Sequence, residues 1–367
     1  MDWDQIEIDF GSGVASQLLI ASGWLTGNTA SFDFPGGLSE LPTKLLIVCD
    51  TNTESIARSL VRRLNAGGRQ VHCEVLPSGE QTKATQFVER LWSQMALLGL
   101  DRSSALIAVG GGVVGDLSGF AAATFMRGVS WFVVPTTLVA QVDSAIGGKV
   151  GINLPEGKNL IGSFWQPKGI WIDTTVLGTL PEREYLSGFA EVVKYGVISD
   201  PELFGFVEQH VAELRARDPE CLKQVIVRCC RIKAEIVSAD ERELRGLRAT
   251  LNYGHTFGHA IERVAGYGEY LHGEAVAIGM TWAARAARRL QLVDRQFELK
   301  QTKLLREMGL PVDWPAAPVE KILQAMKFDK KRKGNDPRLI LPLKVGQVES
   351  REWPGDNLVM EAINEVE

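Results

Sequence analysis

Short apolar runs alternate with amphipathic stretches through the first half of the chain. KLLIVCD (44–50), QVHCEVL (70–76), SALIAVG (104–110) and WFVVP (131–135) are rich in β-branched residues and end on turn formers, which predicts strands. Between them, TESIARSLVRRLNAGG and KATQFVERLWSQMALLG repeat apolar residues at helical spacing, and each closes on glycine as a helix C-terminus should. Such alternation predicts βα units feeding a parallel sheet. From Pro181 the period changes. EYLSGFAEVVKYGVI, PELFGFVEQHVAELRAR, CLKQVIVRCCRIKAEIVSADE and GEAVAIGMTWAARAARRLQL all read as helices, with little strand signal before RLILPLKVG (338–346). The expected fold is an α/β N-terminal domain with a parallel-type sheet, residues 1–180, followed by a mainly α-helical C-terminal domain, 181–367.

Composition narrows the function classes. A length of 367 residues suits about two domains. Hydrophobic residues make up 45% and charged ones 23%, an ordinary globular profile that argues against disorder. With 40 basic and 45 acidic residues, the net charge of −5 gives no support for nucleic acid or an anionic membrane as partner. The five cysteines form no CxxC pair and are odd in number, as in a reducing compartment. MDWDQIEIDF has neither the basic nor the apolar region of an export signal, and apolar stretches break before membrane-spanning length. A cytoplasmic protein is expected.

Two regions of the first half carry chemistry. The strand SALIAVG runs into Gly110-Gly111-Gly112 and then a small-residue helix, so Gly110, Gly112 and Gly115 satisfy a dinucleotide-type spacing. By itself this spacing also suits any tight strand-to-helix turn, and it sits on a later strand than usual. Asp50, ending an earlier strand, is a candidate ribose ligand. Downstream, residues 135–167 set Asp143, Lys149, Lys158 and Asn159 among glycines that admit a close ligand, an anion pocket in an otherwise acidic chain.

The second half carries a candidate metal site. Three of the five histidines, His255, His259 and His272, lie within one 18-residue stretch. Asn252, His255, His259 and Glu262 follow a 3-4-3 spacing, which a helix would gather on one face. A polar row among apolar neighbours needs partners, and a metal or polyol would supply them. Hydrogen-bonded structural histidines are the plainer alternative. The i, i+4 rule favours His255 with His259 as co-ligands. Glu191 and Lys194, three apart on an apolar helix, are either an ion pair or a source of the carboxylate that joins two histidines.

Read together, GGGVVGDLSGFAAATFMRG, PTTLVAQVDSAIGGK, GKNLIGSFWQP, LPEREYLSGFAEVVKYG, LNYGHTFGHAIE and LHGEAVAIGM resemble the 3-dehydroquinate synthase family of sugar phosphate cyclases over nearly the whole chain. The resemblance implies a nucleotide-binding first domain and a metal-binding second one. It implies zinc, or cobalt, on Glu191, His255 and His272, and moves His259 to a substrate role. It implies NAD on Asp50, Asn52, Glu80, Lys83, Gly111, Gly112, Val113, Asp116, Thr136, Thr137, Lys158 and Thr179. Substrate contacts fall on Arg127, Asp143, Lys149, Asn159, Lys194, Arg248, Asn252, His255, His259 and His272, with Lys330 or Lys331 at the phosphate. Between DERE and GLR this chain carries Leu244-Arg245 where the family pattern has one residue, so Glu243 is assigned as the family's substrate-binding glutamate.

The activity so implied is a phosphate-eliminating carbon–oxygen lyase of the shikimate pathway. It converts 3-deoxy-D-arabino-heptulosonate 7-phosphate to 3-dehydroquinate through transient oxidation, phosphate elimination, re-reduction, ring opening and aldol closure. The phosphate can act as its own base. The resemblance also implies a homodimer in which Arg127 serves the neighbouring subunit's phosphate site, and the small-residue surface GFAAATFM suits that contact. Two rival enzymes fit the same motifs less fully: another sugar phosphate cyclase, and a metal-dependent polyol dehydrogenase. A catalytically dead metabolite-binding regulator is disfavoured, because every proposed metal ligand is present.

Overall fold

A computed structural model describes residues 3–10, 14–25, 41–266, 268–315, 317–331 and 338–365, with the side chains of 328–331 outside the described part. The chain forms two compact units, Met1–Leu180 with Leu222–Arg242, and Pro181–Cys221 with Glu243–Glu367.

Among the described residues the first unit holds a seven-stranded sheet. Its strands are β1 (Asp4–Asp9), β2 (Ala15–Ala21), β3 (Lys44–Asp50), β4 (Gln70–Leu76), β5 (Ala105–Gly110), β6 (Ser130–Pro135) and β9 (Gly169–Asp173). A separate hairpin pairs β7 (Lys149–Leu154) with β8 (Gly157–Phe164). The order across the sheet is β1-β2-β9-β6-β5-β3-β4, all parallel except the β1–β2 pair. Every residue of β5 is buried, which is why that strand reads as an unbroken apolar run rather than an alternating one. The helices α1 (Glu54–Ala66) and α2 (Thr85–Leu97) each turn one apolar stripe inward: Ala57, Leu60 and Leu64, then Val88, Leu91 and Met95. Both stop near glycines at positive φ, Gly68 (81°) and Gly99 (63°), a conformation that L side chains resist.

Topology explains why the glycine turn follows a later strand. The chain leaves β3 for β4 on one side, then returns to β5 on the other. The crevice at such a reversal, outside the carboxyl ends of β3 and β5, is where open α/β sheets bind ligands. Asp50 ends β3 and Gly110 ends β5, so the two features separated by 60 positions flank one switch point. The hydroxyl of Thr53 ties these ends together by donating to the Val109 carbonyl (2.9 Å).

The helix α3 (Gly112–Thr124) corrects one expectation. Leu117, Ser118, Gly119, Phe120, Ala121 and Ala122 are buried within this unit, so the first half of GFAAATFM is not a free surface for a second subunit, whereas Ala123–Met126 are half-buried or exposed. At Gly119 a Cβ would come within 2.4 Å of Val150 on β7 and 2.9 Å of Trp131 on β6, so this glycine serves close packing of α3 on the hairpin and the sheet. What remains exposed beyond α3 is Met126 and Arg127, both at positive φ (49° and 66°).

The second unit is mainly helical: α4 (Glu182–Ser187), α5 (Phe189–Ile198), α6 (Pro201–Gln209), α7 (Val211–Arg215), α9 (His255–Ala265), α10 (His272–Arg289), α11 (Arg295–Glu307), α12 (Val319–Lys331) and α13 (Asp356–Asn364), with the hairpin β10 (Arg338–Lys344) and β11 (Gln347–Glu352). The helix α8 (Pro219–Ala239) begins there, but 222–242 groups with the first unit, whereas periodicity assigns it to the second domain. Its inward stripe gives the reason. Cys230 Sγ donates to the Gln141 carbonyl (3.3 Å) and Lys233 Nζ to the Asp143 carbonyl (2.6 Å).

Candidate active site

In the second unit, backbone contact between helices brings the metal-type side chains together. A Cβ at Gly279 of α10 would lie 2.1 Å from the Gly254 carbonyl, and one at Gly273 would lie 1.9 Å from the Ser187 carbonyl. Only glycine permits either approach, so α10 abuts both the start of α9 and the segment entering α5. His255, first residue of α9, His272, first of α10, and Glu191 on α5 therefore converge. Both imidazoles place Nε2 at 3.4 Å from Glu191 Oε1. The ring of His255 is fixed: its Nδ1–H donates to the Tyr253 carbonyl (3.1 Å), which leaves the Nε2 lone pair facing Glu191.

The four-residue row expected on one helix is divided. Gly254 adopts a left-handed conformation (φ 77°) and α9 starts after it, so Asn252 belongs to the preceding 3-10 turn, Arg248–Asn252. His255, His259 and Glu262 do share α9, but His259 is exposed while the other two are buried.

Glu191 is fully buried, with Lys194 against it at 1% exposure. Burial alone pushes its carboxyl up, but the Lys194 ammonium and the two imidazoles outweigh this and hold it well below the usual carboxylate range. Among the described residues neither of its oxygens accepts a hydrogen bond of good geometry. A buried, ionised and under-bonded carboxylate facing two imidazole nitrogens is a donor set that suits a divalent cation. Partial burial works against charge on His272, yet Glu191 and Glu262 on either side push its pKa up to about 10, so a proton would compete with any cation for it.

The first unit gathers a second set. Lys83, buried, donates to Asp116 Oδ2 (2.6 Å) and to Asn159 Oδ1. Asn153 cross-links the same group: its backbone N–H donates to the Lys83 carbonyl (2.8 Å), its side-chain amide donates to Glu80 (2.7 Å), and its Oδ1 accepts from the Asn159 N–H (2.9 Å). Gly111, Gly112, Gly115, Asp116, Ser144 and Lys149 line a crevice at the start of α3. A Cβ at Gly111 would press to 3.0 Å on Thr137, and one at Gly112 to 3.1 Å on the Ser144 hydroxyl. At the end of β3, Asp50 Oδ1 accepts from the Asn52 and Thr53 backbone N–H groups (3.0 Å each), while Oδ2 takes no part in that turn.

Other expected site residues are less closely gathered. Val113 follows Gly112 in the first turn of α3, and Thr136 is buried just beyond β6. Lys158 is half-buried on β8, and exposed Thr179 donates its hydroxyl to the Val176 carbonyl (2.8 Å). Arg127 and Glu243 are exposed, the latter at φ 58°, and Arg248 is buried. The side chains of Lys330 and Lys331 lie outside the described residues. Two residues escaped the sequence reading. Asn153 gives no local signal. Lys233 does: it holds Asp143 Oδ1 at 2.8 Å, and with Ile226, Cys230 and Val237 it occupies a 4-3-4 stripe where an apolar residue is expected.

Solved structures define the class. The chain superposes on 2-epi-5-epi-valiolone synthase from Streptomyces hygroscopicus subsp. jinggangensis, solved with NAD+ and Zn2+ bound, with a TM-score of 0.87 and 27% identity over 96% of both chains. It superposes on 2-deoxy-scyllo-inosose synthase, complexed with carbaglucose-6-phosphate, NAD+ and Co2+, with a TM-score of 0.84 and 28% identity over 98% of this chain and 99% of that one. These neighbours are sugar phosphate cyclases. Within that class, residues 73–187 match the 3-dehydroquinate synthase N-terminal model and 188–332 the C-terminal model. The 3-dehydroquinate synthase of Rhodopirellula baltica is 50% identical over 296 residues, 81% of this chain and 79% of that protein. The chain belongs to the 3-dehydroquinate synthase family. Identity of 50% here against 27–28% for the other cyclases disfavours the rival cyclase reading.

Proposed function

We propose that this protein is a phosphate-eliminating carbon–oxygen lyase that converts 3-deoxy-D-arabino-heptulosonate 7-phosphate to 3-dehydroquinate in aromatic amino acid and chorismate biosynthesis, as a cytoplasmic homodimer. The observation that carries the reading is the buried Glu191, under-bonded and facing two imidazoles, in a chain of this family. Glu191, His255 and His272 would hold a divalent metal, zinc foremost and cobalt as the alternative, which supplies a Lewis acid for the substrate's hydroxyl oxygens. Asp50, Asn52, Glu80, Lys83, Gly111, Gly112, Val113, Asp116, Thr136, Thr137, Lys158 and Thr179 would hold NAD+, which supplies a transient hydride acceptor.

The remaining side chains bind and orient. Lys149, Asn159 and one of the 330–331 lysines hold the phosphate, and Arg248 and Asn252 supply the cationic and amide partners that a carboxylate needs. Lys233 fixes Asp143 from behind, so Asp143 presents to substrate without moving. Lys194, paired to Glu191, keeps that carboxylate ionised, and His259 and Glu243 complete the substrate set. The protein works chiefly by positioning.

The purified protein, assayed for phosphate release from the heptulosonate phosphate, should need NAD in catalytic amounts only. One NADH accumulating per phosphate released would sink the cyclase reading and favour a dehydrogenase.

Arg127 tests the dimer. Its exposure and left-handed conformation beyond α3 support a role for it in the neighbouring subunit's site. Mixing Arg127→Ala with Glu191→Ala subunits, each inactive alone, should restore up to half of the activity, because one site per mixed dimer keeps both groups. Subunit exchange without recovery would place Arg127 in its own subunit's site.

A further inference from the structure

His272 faces two carboxylates with its two nitrogens. Nε2 lies 3.4 Å from Glu191 Oε1, and Nδ1 lies 3.6 Å from Glu262 Oε2, one small rotation from hydrogen-bond distance. Two ligand trios therefore compete for this ring: Glu191, His255 and His272, or His259, Glu262 and His272. A neutral imidazole carries one proton, and the nitrogen that holds it cannot bind a cation. Whatever fixes that proton chooses the trio.

Two observations decide which. Glu191 is fully buried and its oxygens accept no hydrogen bond of good geometry among the described residues, whereas the second trio includes the exposed His259. The other ring of the buried trio, His255, already has its proton fixed on Nδ1 by the Tyr253 carbonyl. Glu262 stands at the equivalent nitrogen of His272, two helical turns along α9 from His255 and itself only 7% exposed. It cannot swing to solvent without leaving that nitrogen.

We propose that Glu262 is the positioning residue of the metal site: it accepts the His272 Nδ1 proton, presents Nε2 to the cation and is not itself a ligand. The inference rests on the metal reading above. A carboxylate behind a ligating imidazole fixes its tautomer and raises its basicity, and loss of such a partner weakens metal binding about 10- to 100-fold.

The test uses the full chain loaded with cobalt(II), with affinity read by chelator competition and geometry by the visible d–d absorption. Glu262→Ala should bind cobalt about 10- to 100-fold more weakly with an altered absorption. Glu262→Gln, whose amide oxygen still accepts the Nδ1 proton, should stay close to the unsubstituted protein in both readouts. Glu262→Ala matching the unsubstituted protein overturns the proposal, as does Glu262→Gln falling as far as alanine, which marks Glu262 as a ligand. Glu191→Ala serves as the control for the site. If it binds cobalt as tightly as the unsubstituted protein, or if the latter binds none, the metal reading fails and this inference with it.

Discussion

Glu191→Ala is expected to lose bound metal and to lower phosphate release by about a thousandfold or more, roughly 4 kcal/mol of transition-state stabilisation. The same substitution should also cost stability. Glu191 and Lys194 are 0% and 1% exposed, so alanine at 191 strands a buried ammonium. Breaking such a pair from one side costs about 3–5 kcal/mol. A low melting temperature could then be mistaken for the cause of the metal loss. Glu191→Ala/Lys194→Met separates the two effects, because it removes both charges and leaves an apolar side chain in the space. Thermal unfolding of the double variant should return most of the way to that of the original protein, while elemental analysis still finds the metal absent. Full metal occupancy in the double variant would falsify the ligand role of Glu191.

The fold was legible in the sequence wherever one element could bury its own stripe. The strands at 44–50, 105–110 and 130–135 stand where their apolar runs put them, because strands buried on both faces of a parallel sheet demand such runs, and the edge strand at 70–76 stands where its β-branched residues put it. Periodicity could not show that α8 packs with the first unit, since an amphipathic stripe says that something covers it, not what. It also could not show that Gly119 of α3 is consumed by packing on the hairpin and the sheet. Small residues suit close packing inside a chain as well as between chains, and the crowding by Val150 and Trp131 that a Cβ at Gly119 would meet decides which for that residue. The candidate metal site was readable as residue types, but not as geometry. The i, i+4 rule selects His255 with His259, yet the close partner of His255 comes from a different helix, through the glycine contacts of α10. Asn252 lies off the helix for an equally local reason, the left-handed Gly254.

Lys83→Met is expected to weaken NAD binding by roughly 30- to 1000-fold, about 2–4 kcal/mol, the usual loss on truncating one partner of a buried hydrogen-bonded charge pair. Lys83 Nζ is the cation drawn against Asp116, whose carboxylate lines the glycine crevice, and it also holds Asn159. With Lys83 in place, the cluster Glu80, Lys83 and Asp116 carries one net negative charge. Without it, Asp116, whose pKa burial already raises, loses its hydrogen-bonded cation close to where a pyrophosphate dianion must dock. Repulsion in a partly buried crevice is poorly screened, so raised salt should recover little of the loss. Lys83→Met/Asp116→Asn should recover more, because it removes the stranded charge together with its partner. Titration of each variant with NAD+ by calorimetry checks the order. Metal content should be unchanged throughout, since Glu191, His255 and His272 belong to the other unit. A dissociation constant for Lys83→Met equal to that of the unsubstituted protein would mean that the Lys83–Asp116 pair supports the crevice without taking part in the binding of the cofactor.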